Sequence, residues 1–149
     1  MHSTDRFIKN THEVLSPLHE LTGRVPMTQH EFLTADRRAQ HSVFGEGARR
    51  TDVVVNMGDA PLEWHSRLGG QIELPPYGFV VEGPEFAAFH ARNWDGHRYT
   101  AAPLFTLRSA DGGPLAAARR IRVYHGFGDP EVRIAGKLRT IGREEVVTR

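Results

Sequence analysis

Nine histidines, two close glutamates and a few large aromatics are the side chains of this sequence whose types suit chemistry. The histidines stand at positions 2, 12, 19, 30, 41, 65, 90, 97 and 125, and no two of them form an HxH, HxxxH or HExxH spacing. A metal site of the cupin type gathers histidines and a carboxylate from neighbouring strands. His90 and His97, which straddle Asp95-Gly96, with Glu82 as the carboxylate, come nearest to that pattern. Strand histidines are more often surface or hydrogen-bonded core groups, so neither a metal nor another cofactor is assigned. Glu82 and Glu85 flank Gly83-Pro84 and meet only if the turn brings them together. Glycosidic acid–base work needs two carboxyls roughly 5 to 10 Å apart in a cleft, and solvated turn residues are the commoner outcome. No serine lies in a GxSxG elbow, and Gly45-Glu46-Gly47 and Gly126-Phe127-Gly128 are too short for a phosphate loop. No catalytic residue is therefore assigned.

The aromatics suit binding better. Trp64, Trp94 and Tyr99 each offer a flat ring for the apolar face of a sugar and a polar tip for a hydrogen bond. Trp94 adjoins the Asp95-Gly96 turn, where a loop-tip ring is expected to be exposed. Carbohydrate is the ligand these three residues fit, although tryptophans more often fill the core.

Composition removes several other partners. Nineteen basic residues against eighteen acidic ones leave a formal charge of +1, too little to gather nucleic acid or anionic lipid. Arg37-Arg38, Arg49-Arg50 and Arg119-Arg120 are isolated pairs with no aromatic platform between them. With no cysteine, disulfides, thiolate nucleophiles and cysteine-based metal sites are excluded, and stability must come from packing. The start, MHSTDRFIKN, lacks the apolar centre of a signal peptide, and no run approaches the ~18 apolar residues of a spanning helix. No membrane association is expected, and the cytoplasm is the default location.

The elements that must position these residues divide in two. Phe7, Thr11, Val14, Leu15, Leu18 and Leu21 recur at helical spacing between Thr4 and Thr22, with Ser3 or Thr4 as cap and Gly23 as the stop. Pro17 predicts a kink, or a second piece capped by Ser16. Thr28 and Glu31 have capping-box spacing for one helical turn in the connector. From Arg38 onward, Val-, Ile-, Phe- and Tyr-rich runs alternate with Gly, Pro, Asp and Asn clusters about every ten residues, the pattern of a sandwich or barrel. Strands are predicted near 39–44, 51–57, 62–66, 70–74, 78–82, 85–91, 97–100, 103–109, 114–125 and 131–134, with a last one within 138–147. In Ile121-Arg122-Val123-Tyr124-His125 the alternation predicts a strand covered on one side only. The fold class is thus mostly β: an antiparallel β-sandwich (38–149) behind an N-terminal helix and connector (1–37).

Phe7 to Leu15, Pro26-Met27-Thr28 through Glu31-Phe32-Leu33, Val53-Val54-Val55-Asn56 and Leu74-Pro75-Pro76-Tyr77-Gly78-Phe79 together resemble the carboxy-terminal end of a large glycoside-hydrolase-like protein. There a (β/α)-barrel closes with a helix and is followed by an antiparallel sandwich, as in amylase-type enzymes. The resemblance implies a non-catalytic accessory domain that gives structural support and contacts carbohydrate. At 149 residues the chain has no room for a barrel of about 250, so no catalytic carboxylate carries over. Partners implied are an upstream catalytic barrel, or a second copy paired through the helix. Two alternatives stand beside it: a free-standing cupin-like metal-dependent enzyme using His90, His97 and Glu82, and an interaction module pairing through an edge strand or the helix.

Overall fold

The computed structural model describes residues 3–149; His2 and the Ser3 side chain, one of the candidate caps, lie outside what is described. Helix α1 spans Ser3–Thr22 and runs unbroken through Pro17. The strands follow as β1 (Met27–Phe32), β2 (Ala39–Phe44), β3 (Thr51–Asn56), β4 (Leu62–Ser66), β5 (Gly70–Leu74), β6 (Phe79–Glu82) and β7 (Phe86–His90). Then come β8 (Asn93–Trp94), β9 (His97–Arg98), β10 (Leu104–Ser109), β11 (Arg120–Phe127), β12 (Glu131–Ile134), β13 (Lys137–Thr140) and β14 (Glu144–Thr148).

Eight of these strands form one antiparallel sheet in the order β1-β2-β3-β6-β7-β10-β11-β14. The strands missing from that order are three hairpins, β4–β5, β8–β9 and β12–β13, each inserted between consecutive strands of the meander. The fold is an antiparallel β-sandwich with an N-terminal helix, and the hairpins make its second layer. Residues of alternate parity explain how. Val54, Val80, Phe89, Phe105, Leu107, Ile121 and Val123 point to one face, where Ile72, Leu74, Trp94, Val132 and Ile134 of the hairpins meet them in a single cluster.

The Trp94 indole is the centrepiece of that cluster. Its ring lies parallel to Phe89 with centroids 4.0 Å apart and an interplanar angle of 4°. On the other side stands Gly69, where an added Cβ would be 2.4 Å from Cε3 and 2.6 Å from Cδ2 of the indole. Glycine is required here because the backbone itself packs on the ring.

The opposite face carries Val81, Phe86 and Ala88, and α1 covers it with Val14, Leu18 and Leu21. Polar contacts fix the helix in place. The buried Glu13 accepts from Arg122 Nη1 at 2.8 Å and Nη2 at 3.0 Å on β11, and Lys9 Nζ lies 2.9 Å from its Oε1. Tyr124 donates its hydroxyl to Asn10 Oδ1 at 2.6 Å. β11 is therefore covered on both sides, not on one as its alternation predicts: Arg122 and Tyr124 face the helix rather than solvent. The helical stripe is likewise divided. Val14, Leu18 and Leu21 are packed, whereas Phe7 and Leu15 of the same predicted face stay 70% and 45% exposed.

The connector also differs from expectation. Thr28 and Glu31 lie in β1, an edge strand, and not in a helical turn. Thr28 donates to Gly45 O at 3.2 Å and Glu31 meets His41, so side chains with capping-box spacing serve strand pairing instead.

Two measurements test these contacts. Burial of Glu13 opposes its ionisation, but the Arg122 and Lys9 hydrogen bonds outweigh it and hold its carboxyl at about 2 in the fold, against 4.5 unfolded. A depressed value means that the stabilisation is complete above pH 4.5 and is lost as pH falls toward 2. Glu13→Gln should cost on the order of 3 kcal/mol in denaturant unfolding at pH 7, and the gap to the parent should close in acid. Gly69→Ala should destabilise by about 1–3 kcal/mol through overpacking against Trp94, with a changed near-ultraviolet tryptophan signal.

Candidate functional site

The charged residues on the hairpin face gather at one side of the sheet. Parity places Asp52 beside Val54 on β3, Glu82 beside Val80 on β6 and His41 beside Val43 on β2, all directed into the layer between sheet and hairpins. Asp52 and Glu82 are direct cross-strand partners, so two carboxyls are buried side by side. A charge taken out of water persists only when paired. Asp52 accepts from Arg50 Nε at 2.8 Å and Nη2 at 2.9 Å, from Arg67 Nη2 at 3.3 Å, and contacts His41 Nε2 at 2.8 Å. His41 Nδ1 in turn lies 3.0 Å from Glu31 Oε1 on β1. Glu82 accepts the Arg67 backbone N–H at 2.8 Å, and the Arg67 guanidinium donates to the Glu82 carbonyl at 2.8 Å.

Environment drives the two carboxyls apart. Burial opposes ionisation of Asp52, yet the Arg50 and His41 hydrogen bonds prevail and hold it below the usual carboxylate range. Burial dominates at Glu82 and pushes its carboxyl up, despite the Arg67 N–H and the Ser66 hydroxyl. Two neighbouring carboxyls whose environments push their ionisation in opposite directions are an arrangement glycosidases exploit. Here every strong donor is turned inward: Asp52 is saturated by two arginines and a histidine, and the charges tie β1, β2, β3, β6 and the β4–β5 turn together. The arrangement suits a structural clamp.

The aromatics named from sequence occupy different environments. Trp94 is 2% exposed, and both ring faces are taken by Phe89 and Gly69, so it is a core residue and not the loop-tip ring expected from its turn. The Asp95-Gly96 hairpin does form, with φ of 49° and 79°, but it lies flat on the sheet and directs Trp94 inward. Tyr99, 7% exposed, packs near Phe89 and against the edge of His97, and burial raises its phenol well above the ordinary value. Trp64, on β4, is half-buried and meets His41 edge-on at 4.7 Å. Of the three, it alone keeps appreciable exposed surface.

The histidines of the metal reading have separate partners. His90 Nδ1 lies 3.2 Å from the Pro103 carbonyl and His97 Nε2 lies 3.5 Å from Glu131, while Glu82 belongs to the clamp. Among the described residues no three His, Cys, Asp or Glu side chains converge as metal ligands, and no helix is long and apolar enough to cross a membrane.

An accessible apolar surface lies on the other side of the sheet, between the first turns of α1 and β6, β10 and β11. A groove of about 520 Å3 opens there between Phe7, Val14 and Leu15 of the helix and Phe79, Leu104 and Phe127 of the sheet. Arg6 and Asn10 form its polar rim. Phe127 is 41% exposed, and with Phe7 and Leu15 it makes a contiguous apolar surface of the kind that marks contact sites. No family model matches the chain, and neither a curated protein nor a solved structure matches it significantly.

Neither feature follows from spacing alone. The clamp does carry a signal in sequence: Asp52 and Glu82 share the parity of Val54 and Val80, so a core-facing charge is implied on each strand. The groove carries none, since Phe79, Leu104 and Phe127 come from three strands and meet α1 only in the folded chain.

Glu82 provides the test of the clamp. Its folded carboxyl is raised above its unfolded value, so its contribution is complete below pH 4.5 and declines as pH rises through the folded value. Glu82→Gln keeps the acceptor for the Arg67 N–H and removes the buried charge. Thermal unfolding should show it more stable than the parent at pH 7 and no more stable at pH 4.

Proposed function

We propose that this chain is a non-catalytic β-sandwich domain of glycoside-hydrolase-like type, which supports a (β/α)-barrel by packing the groove between α1 and the sheet against it. The exposed apolar lining of that groove is the observation that carries the reading. α1 is the element to which a preceding barrel would connect, and its Arg6 and Phe7 border the groove, so such a barrel would stand next to the surface that needs covering. The carboxyls that resemble an acid–base pair are consumed by the arginine clamp, which favours support over catalysis. Carbohydrate contact, in this reading, falls to Trp64, the least buried of the three candidate aromatics.

The test compares the isolated chain with the same chain joined to its barrel. Phe7→Asp with Leu15→Asp should lower the melting temperature of the isolated chain by only about 2 °C, since Phe7 is mostly and Leu15 nearly half exposed. In the joined protein the pair should lower the barrel's melting temperature by several degrees. A concentration-dependent dimer of the isolated chain, abolished by Phe7→Asp in sedimentation, would put a second copy in the groove and overturn the reading. So would hydrolysis of aryl glycosides by the isolated chain that is lost in Asp52→Asn.

A further inference from the structure

The hairpin face holds a second cavity, far from the groove in both place and chemistry. The turns of all three hairpins converge there: Arg67 and Leu68 after β4, Asp95 after β8 and Ala135 after β12 line one cavity of about 230 Å3. Leu107 and Ile121 of the main sheet, Leu115 and the edge of Trp94 give it an apolar floor. A separate pocket of about 340 Å3 borders the same Arg67, Leu68, Leu115 and Ala116 on their other side. Loop clusters at sandwich ends are where a rigid scaffold most readily presents a binding site.

The charge of the first cavity, the cleft at the hairpin turns, is one-sided. Arg67, Arg133 and Arg149 line the first cavity and Asp95 is its single carboxylate. Two of the arginines have partners: Arg67 is held by Asp52 and Glu82, and Arg149 Nη2 donates to the Leu115 carbonyl at 3.0 Å. Arg133 differs. Among the described residues its Nε is a buried atom with no hydrogen-bond partner and its guanidinium makes no ion pair, while the side chain as a whole is part-buried. A buried donor of a charged group left without an acceptor carries its full desolvation penalty. A guanidinium fork is suited to the two oxygens of a carboxylate or phosphate group, and the apolar floor beside it suits a hydrocarbon or aromatic body.

We infer that this cleft binds an amphipathic organic anion, with Arg133 receiving the oxyanion head and the floor formed by Leu107, Leu115, Ile121 and Trp94 receiving the apolar body. The carboxylate and phosphate versions share this chemistry, and the choice of probe separates them. The site lies across the sheet from the α1 groove and does not depend on the accessory role.

Titration of the whole chain with phenylacetate, phenyl phosphate and the neutral benzyl alcohol, followed by amide chemical shifts, tests the inference. At least one of the two anions should saturate and shift residues of the cleft, and benzyl alcohol should bind at least tenfold more weakly. The stronger anion identifies the preferred head group. Arg133→Met, which keeps the apolar stem, should weaken anion binding at least tenfold while the melting temperature stays within about 2 °C. Asp95→Asn, which suits the same left-handed turn position, should tighten it severalfold by removing the one repelling carboxylate. Equal affinity for benzyl alcohol, unchanged binding in Arg133→Met, or no shifts at the cleft with either anion would each overturn the inference. Inorganic phosphate binding as tightly as phenyl phosphate would overturn the role of the apolar floor.

Discussion

Both faces of the eight-stranded sheet are apolar, and covering them is the constraint from which the rest of the architecture follows. A single open sheet of this size cannot stand in water with Phe89, Phe105 and Val123 on one side and Val81, Phe86 and Ala88 on the other. The chain meets the first demand with hairpins inserted into its own meander, so that each covering unit is tethered at both ends to neighbouring sheet strands. It meets the second with a single helix. Three tethered hairpins tile their face well enough to bury Trp94 completely, whereas one helix of twenty residues covers only the centre of the other. The exposed Phe7, Leu15 and Phe127 are the residue of that mismatch in area.

The clamp answers a different problem at the β1–β2–β3 side, where the covering layer thins. Edge strand β1 is exposed along its whole length and contributes no apolar residue to the core. Its attachment rests on backbone pairing with β2, on the Thr28 and His30 side-chain hydrogen bonds and on the chain of contacts from Glu31 through His41 to Asp52. Replacing such a buried ionic group by apolar side chains is often neutral or stabilising, while removing one member alone is costly. The geometry here fits a role in specificity: Arg67 reaches both Asp52 and Glu82, so the β4–β5 turn has one correct seat on the sheet. A purely apolar contact would fix that hairpin less uniquely. The raised carboxyl of Glu82 reflects chiefly its burial, to which the facing Asp52 adds a smaller repulsion.

Much of this fold is legible in the sequence because strands bounded by turn residues leave a strong local signal. The predicted runs at 39–44, 62–66, 70–74 and 131–134 coincide with β2, β4, β5 and β12. β1 is missed because Met27–Phe32 lies at an edge, buries neither face and therefore shows no alternation. Trp94 is misjudged for a geometric reason: a glycine turn signals a hairpin tip, but a hairpin lying flat on a sheet sends one of its flanking residues inward. The helix stripe shows the same limit. Period marks which residues share a face, and not how much of that face the partner layer is wide enough to cover.

The two surfaces left over are opposite in chemistry because the two covering layers end differently. Helix α1 leaves side chains without neighbours, and its unfinished surface is apolar and broad. The hairpins end in turns, where the exposed Arg67 and the part-buried Arg133 stand at the edge of the core, and their unfinished surface is a narrow cleft with a cationic wall. Such a division sets the apolar groove and the cationic cleft on opposite sides of the sheet, so that covering one leaves the other open. It also means that changes to either surface are insulated from the other by the buried sheet: Leu107 and Ile121 form the floor of the cleft, while neighbours of opposite parity on those strands, Arg108 and Arg122, face α1 and pair with Glu20 and Glu13. Coupling between the two surfaces would have to pass through these strands, whose close packing in the core gives them little room to shift.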